Sequence, residues 1–311
     1  MKALAMIFLL VHHLWAESRI GMYDAAFIGT GGDLVAISKF CKLCVGIFMF
    51  ISGYGLMTTY LRGTFKLQNR LKKIMFPFWF IIVLTIPLLL YMDSFSTVEV
   101  VKNAFLLSNS INGAWWFMQT YVLFVLLFPL FAKTFQKRII FIPLMTVALV
   151  ALQPLGVLTR PHSEDLHYVF HYFPLLYIGM YAKKINLFER LQATSMLCKI
   201  FITVVLLVSR LALGWSILNA GIIIVIILWG MQMQDMLHAK AKDVLNFLGR
   251  MSMNMWLIHM FFIQYGYHSC NPFIDLIWLY VESLITAYIV SLMYDKIYNF
   301  FGNMHNYMLT K

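Results

Sequence analysis

The chain has 311 residues, of which 61% are hydrophobic and only 12% are charged, and its mean hydropathy is +0.78. Soluble domains hold about 45–50% apolar and about 25% charged residues, so this composition excludes an ordinary water-soluble protein. The net charge of +11 does not indicate a nucleic-acid-binding protein, because the Lys and Arg residues stand in short loops between apolar runs. We therefore predict a multi-pass protein of the cell (plasma) membrane, with membrane lipids and no nucleic acid among its partners.

The apolar residues fall into ten segments, each close to the length that a membrane span requires. We predict an all-α polytopic transmembrane bundle of about ten helices, with residues 1–311 forming a single domain. The segments, in chain order, are 1–16, 41–61, 75–92, 113–132, 138–158, 168–182, 196–213, 215–234, 245–267 and 273–300.

The basic residues are distributed unequally between alternate loops. Of the 24 Lys and Arg residues, 18 fall in or beside the loops on the side of Lys2 and Lys311, and six fall on the opposite side. Cytoplasmic loops of membrane proteins carry the excess of Lys and Arg. This bias predicts that both termini are cytoplasmic, which agrees with an even number of spans.

The first apolar segment, residues 1–16, contains two adjacent histidines, His12 and His13. Ionisable side chains inside a span are costly, and they generally face a protein interior or a wet cavity. With Lys2 at the cytoplasmic edge, His13 is 11 residues further on, or ~16 Å deep at 1.5 Å per residue. Neighbouring residues on a helix diverge by ~100°, so we expect only one of the pair to face a given pocket. The alternative, a cleaved signal peptide, would need a poor cleavage site at residues 14–16.

Two features near the second segment are interpreted as structural. Residues 17–40 form the longest polar stretch and contain a glycine cluster, which indicates a flexible surface loop. Cys41 and Cys44 have the spacing of a metal or redox pair, but a second pair is missing, so we interpret them as packing residues. We predict no metal, because no HExxH or comparable spacing occurs.

The second segment and the loop after it carry small and basic residues. Gly53 and Gly55 allow a neighbouring backbone to approach closely, and Ser52 can hydrogen-bond across such a contact. Ordinary helix packing explains this stretch equally well when it is considered alone. Arg70 and Lys73, three residues apart, share one helical face; they suit either phosphate groups or a membrane headgroup surface.

Two later segments add further candidates. Trp116 stands at the entrance of the fourth segment, where a Trp is usually an interfacial belt residue. His259 lies nine residues past Arg250 and is a further histidine inside the apolar part of the chain. A second intramembrane histidine favours a polar site in the interior of the bundle.

Several motifs occur in an order that resembles the acyltransferase 3 family, integral-membrane O-acyltransferases of the O-antigen acetylase type. The family has Arg where Lys2 and Lys73 stand, and the Lys2 spacing selects His13 over His12. The motifs are Lys2 with His13, Phe48 to Gly53, Arg70 with Lys73 and Pro77, Trp116-Phe117 with Pro129, Tyr172-Phe173 through Gly179, and Leu248-Gly249 with Ser252 and His259.

The resemblance implies transfer of an acyl group, most often acetyl from acetyl-CoA, to a hydroxyl of a cell-surface or lipid-linked glycan. It implies that His13 is catalytic, either as general base or as covalent acyl carrier. Arg70 and Lys73 would hold coenzyme A phosphates. The residues expected to bind substrate or to brace the site are Lys2, Ser52, Trp116 and His259.

Two other functions suit the same pattern of residues. The main alternative is a non-enzymatic transporter or flippase for a glycan or lipid-linked precursor, which would also use a basic cytoplasmic face and intramembrane histidines. Paired broken helices in two related halves, common in transporters, are not found in the sequence. A structural partner in an envelope assembly complex is the third hypothesis.

Overall fold

The structure is a computed structural model of the 311-residue chain, and it describes residues 1–23, 32–137, 164–213, 218–266, 268–269 and 271–309. Over these ranges the chain is helical, with no strand. The helices are α1 (Lys2–Leu14), α2 (Gly32–Cys41), α3 (Leu43–Leu61), α4 (Leu67–Tyr91), α5 (Thr97–Ala104), α6 (Trp116–Lys137), α7 (Glu164–Lys184), α8 (Leu187–Gln192), α9 (Met196–Leu213), α10 (Leu218–Met236), α11 (Ala239–Tyr265) and α12 (Pro272–Leu309), and 3₁₀ turns lie at Ile20–Met22 and Gly113–Trp115.

The predicted all-α membrane architecture is confirmed where the structure describes the chain. Helices occupy each predicted apolar segment except 138–158, which lies outside the described residues. Five stretches are long and apolar enough to cross a membrane within the described ranges: Gly32–Leu61, Leu67–Tyr91, Gly113–Lys133, Leu218–Met236 and Pro272–Ile297. The total of about ten spans, the cytoplasmic position of both termini and the single-domain organisation stay predictions.

The prediction of a flexible surface loop over residues 17–40 is wrong for its second half. Residues Gly32–Cys41 form α2, and the buried positions on it are Leu34, Ser38 and Cys41. These are spaced four and three residues apart, so they form one helical stripe. The glycines that precede the helix hid this periodicity in the sequence, while the side chain of Asp33 lies in the first turn, where the helix dipole favours it.

Helix α1 lies at the centre of the described bundle. It contacts α2, α3, α11 and α12, and most of its Ala, Leu and Met side chains are buried. Its 13 residues give a length of ~20 Å, shorter than a hydrocarbon layer of ~30 Å. Because four helices contact α1 and most of its apolar side chains are buried, its neighbours enclose much of its circumference. Its polar residues then face protein or a cavity.

Helices α3 and α7 form the most extensive helix–helix contact, and two glycines bring their backbones together. A Cβ atom at Gly53 would overlap the carbonyl oxygen of Leu176, and a Cβ at Gly179 would overlap the carbonyl oxygen of Phe50. The contact is thus reciprocal, with one glycine supplied by each helix. The predicted close approach is found at Gly53, whereas a Cβ at Gly55 would meet no atom within 4 Å and would face open space.

Candidate active site

A cavity of about 600 Å³ lies beside α1, and its wall is formed by α1, α3, α4, α6, α7 and α11. Lys2 and His13 both line it, so the cavity follows α1 over ~16 Å. The wall residues used below fall into a cationic group (Lys2, Arg70, Lys73), a histidine group (His12, His13), an aromatic group (Trp116, Phe117, Tyr121, Tyr168, Tyr172) and a small polar group (Ser52, Thr59, Ser252).

The cationic end of the cavity is formed by the first turns of α1 and α4. Arg70 and Lys73 are on the same face of α4 because they are three residues apart, and Arg70 is close enough to Lys2 for their charges to interact. Arg70 is held by a hydrogen bond from its Nη2 to the hydroxyl of Tyr121, at 2.9 Å. Its Nε is buried and has no hydrogen-bond partner among the described residues. This end therefore presents a fixed guanidinium and two flexible ammonium groups to an anionic ligand.

The opposite end of the cavity is lined by His12 and His13, near the C-terminus of α1. The expectation that only one of them faces the pocket is wrong, because both residues line the cavity. Their ring centroids are 5.1 Å apart. The two rings differ in their partners. His12 is tied to α2, with its Nδ1 3.0 Å from the carbonyl oxygen of Ser38, while the Ser38 hydroxyl donates to the His12 carbonyl oxygen at 2.8 Å.

His259 lies next to His13 but away from the cavity wall. It is fully buried, with 0% of its surface exposed, and its ring centroid is 5.1 Å from that of His13. The structure therefore brings the intramembrane histidines of α1 and α11 together, as the polar-interior hypothesis requires. It places His259 behind His13 and not in contact with the cavity.

Aromatic side chains form the wall between the two ends. The ring of Trp116 stacks on Tyr168, with 3.9 Å between centroids and an interplanar angle of 18°, and also on Tyr172, at 5.5 Å and 24°. Residues four apart lie on the same helical face, so Tyr168 and Tyr172 of α7 both reach this position. Trp116 is thus part of an aromatic wall, while its position at a helix entrance had suggested a membrane-interface residue.

Small polar groups line the cavity beside the aromatic wall. Ser52, at the side of the α3–α7 glycine contact, faces the cavity, as does Ser252 of α11. The Ser252 hydroxyl donates to the carbonyl oxygen of Gly249 at 2.9 Å, and Gly249 packs near the Cβ of Lys2. The motif Leu248-Gly249…Ser252 therefore lies against the cationic end, where the small glycine lets α11 approach α1.

Sequence reasoning had singled out Lys2, Arg70 and Lys73 and both histidines on this wall. It had not identified Tyr121, Tyr168, Thr59 or Lys42 as cavity residues. Tyr121 is recognisable only through its contact with Arg70, across 51 residues of chain. The tyrosines of α7 carry a weak signal, an i, i+4 pair at the start of an apolar segment.

The donor atoms near this cavity do not gather into a metal-binding cluster within the described part of the chain. The side-chain nitrogen atoms of the lining residues belong to Lys, Arg, His and Trp, and their side-chain oxygen atoms belong to the hydroxyl groups of Ser, Thr and Tyr. Magnesium sites use carboxylate ligands, and zinc sites need at least three histidine, thiolate or carboxylate ligands around one point. The chemistry of the wall residues therefore suits organic anions.

Comparison with known families gives a match over almost the whole chain. A family model described as an acyltransferase domain, that of acyltransferase 3, matches residues 1–295. Neither the curated proteins nor the solved structures contain a match to the chain. The resemblance noted in the sequence is confirmed, and family membership indicates a membrane acyltransferase. The chain belongs to the acyltransferase 3 family.

Proposed function

We propose that this membrane acyltransferase transfers an acetyl group from acetyl-CoA to a hydroxyl of a cell-surface or lipid-linked glycan in the plasma membrane. The observation that carries the proposal is the cavity itself: one continuous space joins His13 to Lys2, Arg70 and Lys73. A long donor with anionic phosphates at one end and a reactive thioester at the other matches the separation of the cationic side chains from His13. The separation along α1 is ~16 Å.

The donor binds with its phosphate groups at the cationic end. Arg70 supplies a planar fork whose position is fixed by the hydrogen bond to Tyr121, and Lys2 and Lys73 supply point charges. The arm of coenzyme A then lies along the cavity past Ser52, Ser252 and the aromatic wall. Its thioester reaches the histidine end.

The chemistry at the histidine end is the transfer of one acyl group from the thioester sulfur of the donor to the hydroxyl oxygen of the acceptor. His13 takes the proton of the acceptor hydroxyl as this oxygen attacks the thioester carbonyl carbon; the C–S bond breaks, and the leaving thiolate takes up a proton. In the second route, an unprotonated nitrogen of His13 attacks the carbonyl carbon and the C–S bond breaks; the leaving thiolate takes the N–H proton of the acylated ring. The acceptor hydroxyl then attacks the acyl carbon, the N–C bond breaks, and the imidazole takes up the hydroxyl proton. Both routes need one ring nitrogen with a lone pair facing the cavity.

The experiment measures the transfer of labelled acetyl from acetyl-CoA to the glycans of membranes that contain the full chain. We expect label in the glycan fraction with the wild type and none with His13→Ala. The control is His238→Ala, because His238 is exposed, away from the cavity, and its side chain makes no capping hydrogen bond. Insertion of each variant is checked by its abundance in washed membranes.

Each result of this experiment favours one function. Full labelling by the His13→Ala membranes would overturn the role of His13. Wild-type membranes that move a labelled glycan across the bilayer, without consuming acetyl-CoA, would favour the transporter hypothesis. Mass spectrometry of the surface polysaccharide then identifies the acyl group and the acceptor sugar.

A further inference from the structure

His259 is placed where it can act on the reaction only through another residue. Its ring is completely buried and is absent from the cavity wall, while the neighbouring His13, whose ring centroid is 5.1 Å away, lines the cavity. A role in substrate binding is therefore less consistent with this position than a role in holding His13.

The hydrogen bond of His259 defines which of its nitrogens carries the proton. Its Nδ1 is 2.7 Å from the carbonyl oxygen of Trp256, one turn earlier on α11. A carbonyl oxygen only accepts, so Nδ1 carries the hydrogen, and in the neutral ring the lone pair is on Nε2. This Nε2 is buried and has no hydrogen-bond partner among the described residues. A buried acceptor without a donor is costly, which indicates that a donor is available nearby.

The spacing of the two imidazole rings fits an N–H···N hydrogen bond. Such a bond, with nitrogens about 2.9 Å apart, places the ring centroids of two imidazoles about 5 Å apart. The observed spacing of His13 and His259 is 5.1 Å, with 46° between the ring planes.

We propose that His259 is a positioning residue that accepts a hydrogen bond from His13 and so fixes the tautomer of the His13 ring. One nitrogen of His13 then carries the proton and faces His259, and the other carries the lone pair and faces the cavity. The backbone carbonyl of Trp256 holds His259 in the matching tautomer. The catalytic consequence rests on the proposed function, whereas the proposed hydrogen bond does not require substrate and can be tested without it.

The direct test is nitrogen NMR of the full chain in nanodiscs, with ¹⁵N-labelled histidine and no substrate added. We expect a nitrogen–nitrogen coupling across the bond between His13 and His259, and one tautomer of His13. The His13 signals are assigned by their loss in His13→Gln. Absence of the coupling in the wild type, or a mixture of the two His13 tautomers, would overturn the proposal.

Kinetics of two His259 variants provide the second test. His259→Phe keeps the ring volume and removes the acceptor, and we expect kcat to fall about 10- to 100-fold, less than for loss of His13, with KM for acetyl-CoA unchanged. His259→Gln keeps an acceptor oxygen on a chain of similar length, so it restores part of kcat. The same substitution at an exposed position, His238→Phe, is the control.

The outcomes separate a positioning role from a structural one and from failure of the proposed function. Equal losses for Phe and Gln, or a loss that appears in KM alone, would indicate packing and contradict the positioning role. If the wild type transfers no acetyl group, the proposed function fails while the NMR result still decides the hydrogen bond. Since the coupling is measured in the wild type, this test does not depend on the folding of a variant.

Discussion

The two ends of the cavity differ in how firmly their side chains are held. At the histidine end, His12 is hydrogen-bonded to α2, and His13 lies between the rings of His12 and the fully buried His259. At the cationic end, Lys2 and Lys73 are exposed, and Arg70 is the side chain with a defined partner, Tyr121. The contrast indicates that the histidine end depends on the exact positions of its side chains, and that the cationic end depends mainly on their charge. Substitutions at the histidine end should therefore change kcat, and those at the cationic end should change KM for the donor.

The largest effect is expected at His13. Replacing it by Gln preserves a polar side chain of similar size but removes the base, so kcat should fall at least about 100-fold. KM for acetyl-CoA should be unchanged, because the proposed site for the donor's phosphates is about 16 Å away. Initial rates over a range of acetyl-CoA concentrations measure both constants. A rise in KM without a fall in kcat would contradict the division between the ends.

The next effect is expected at Arg70. Arg70→Ala removes the proposed charge-assisted contact to a donor phosphate. A contact of this kind contributes about 1.5–3 kcal/mol, so KM for acetyl-CoA should rise about 10- to 100-fold. The matched control is Arg62→Ala, since Arg62 is also basic and close in sequence but is exposed and does not line the cavity. A loss of kcat at saturating donor, with KM unchanged, would place Arg70 in the chemistry and not in donor binding.

A substitution at Gly53 tests how closely α3 packs against α7, the contact beside the cavity. Gly53→Ala inserts a methyl group against the backbone of Leu176, and overpacking of this kind costs about 1–3 kcal/mol. The thermal midpoint of the purified protein in detergent should fall. Gly55→Ala is the matched control, because its Cβ meets no atom within 4 Å and its midpoint should stay the same or rise. Equal midpoints for the two variants would contradict the close packing at Gly53.

A smaller effect is expected at Lys73, and it sharpens the comparison within the cationic end. Lys73 is exposed, and exposed ion pairs contribute about 0–1 kcal/mol. Lys73→Ala should therefore raise KM for acetyl-CoA by about fivefold or less, and added salt should remove the difference. A rise as large as that of Arg70→Ala, persisting in high salt, would show that Lys73 is held as firmly as Arg70.

The smallest effect is expected outside the cavity, at the short helix α5. The Lys102 ammonium, followed by the Ser110 hydroxyl, lowers the pKa of the exposed Glu99 carboxyl from its ordinary value of 4.5. A lowered pKa stabilises the fold above pH 4.5, and this contribution is lost as the pH falls through the folded-state value. Glu99→Gln should thus slightly lower the thermal midpoint at pH 7. The difference should shrink towards pH 3, and a constant difference would contradict the ion pair.

Most of the charged residues of the cavity were predictable from the sequence, whereas the contacts between helices that shape the cavity were not. A lysine 11 residues before a histidine, or a basic pair three residues apart, is a feature of one helix and can be read locally. The contact of Arg70 with Tyr121 and the stack of Trp116 on Tyr168 join helices that are far apart in sequence. They depend on how helices pack in three dimensions, which periodicity does not define.

For the fold as well, features set by one stretch of sequence were predictable, and features set by contacts between distant stretches were not. Apolar runs predicted the helices, because burial of a continuous apolar segment needs only composition and length. Helix α2 was missed because its buried stripe is short and follows a glycine cluster. The placement of both His12 and His13 on the cavity wall was missed for a different reason, since it depends on the shape of the cavity around α1.

The paired glycines of α3 and α7 give the cavity its width. Gly53 packs against the backbone of Leu176, and Gly179 packs against the backbone of Phe50. The two helices can approach this closely because neither glycine has a Cβ atom. Ser52 is the immediate neighbour of Gly53, and Tyr172 is two helical turns before Gly179. Any larger residue at either glycine would push the aromatic wall away from α3. The range of acceptors that the enzyme admits would then change without any substitution inside the cavity.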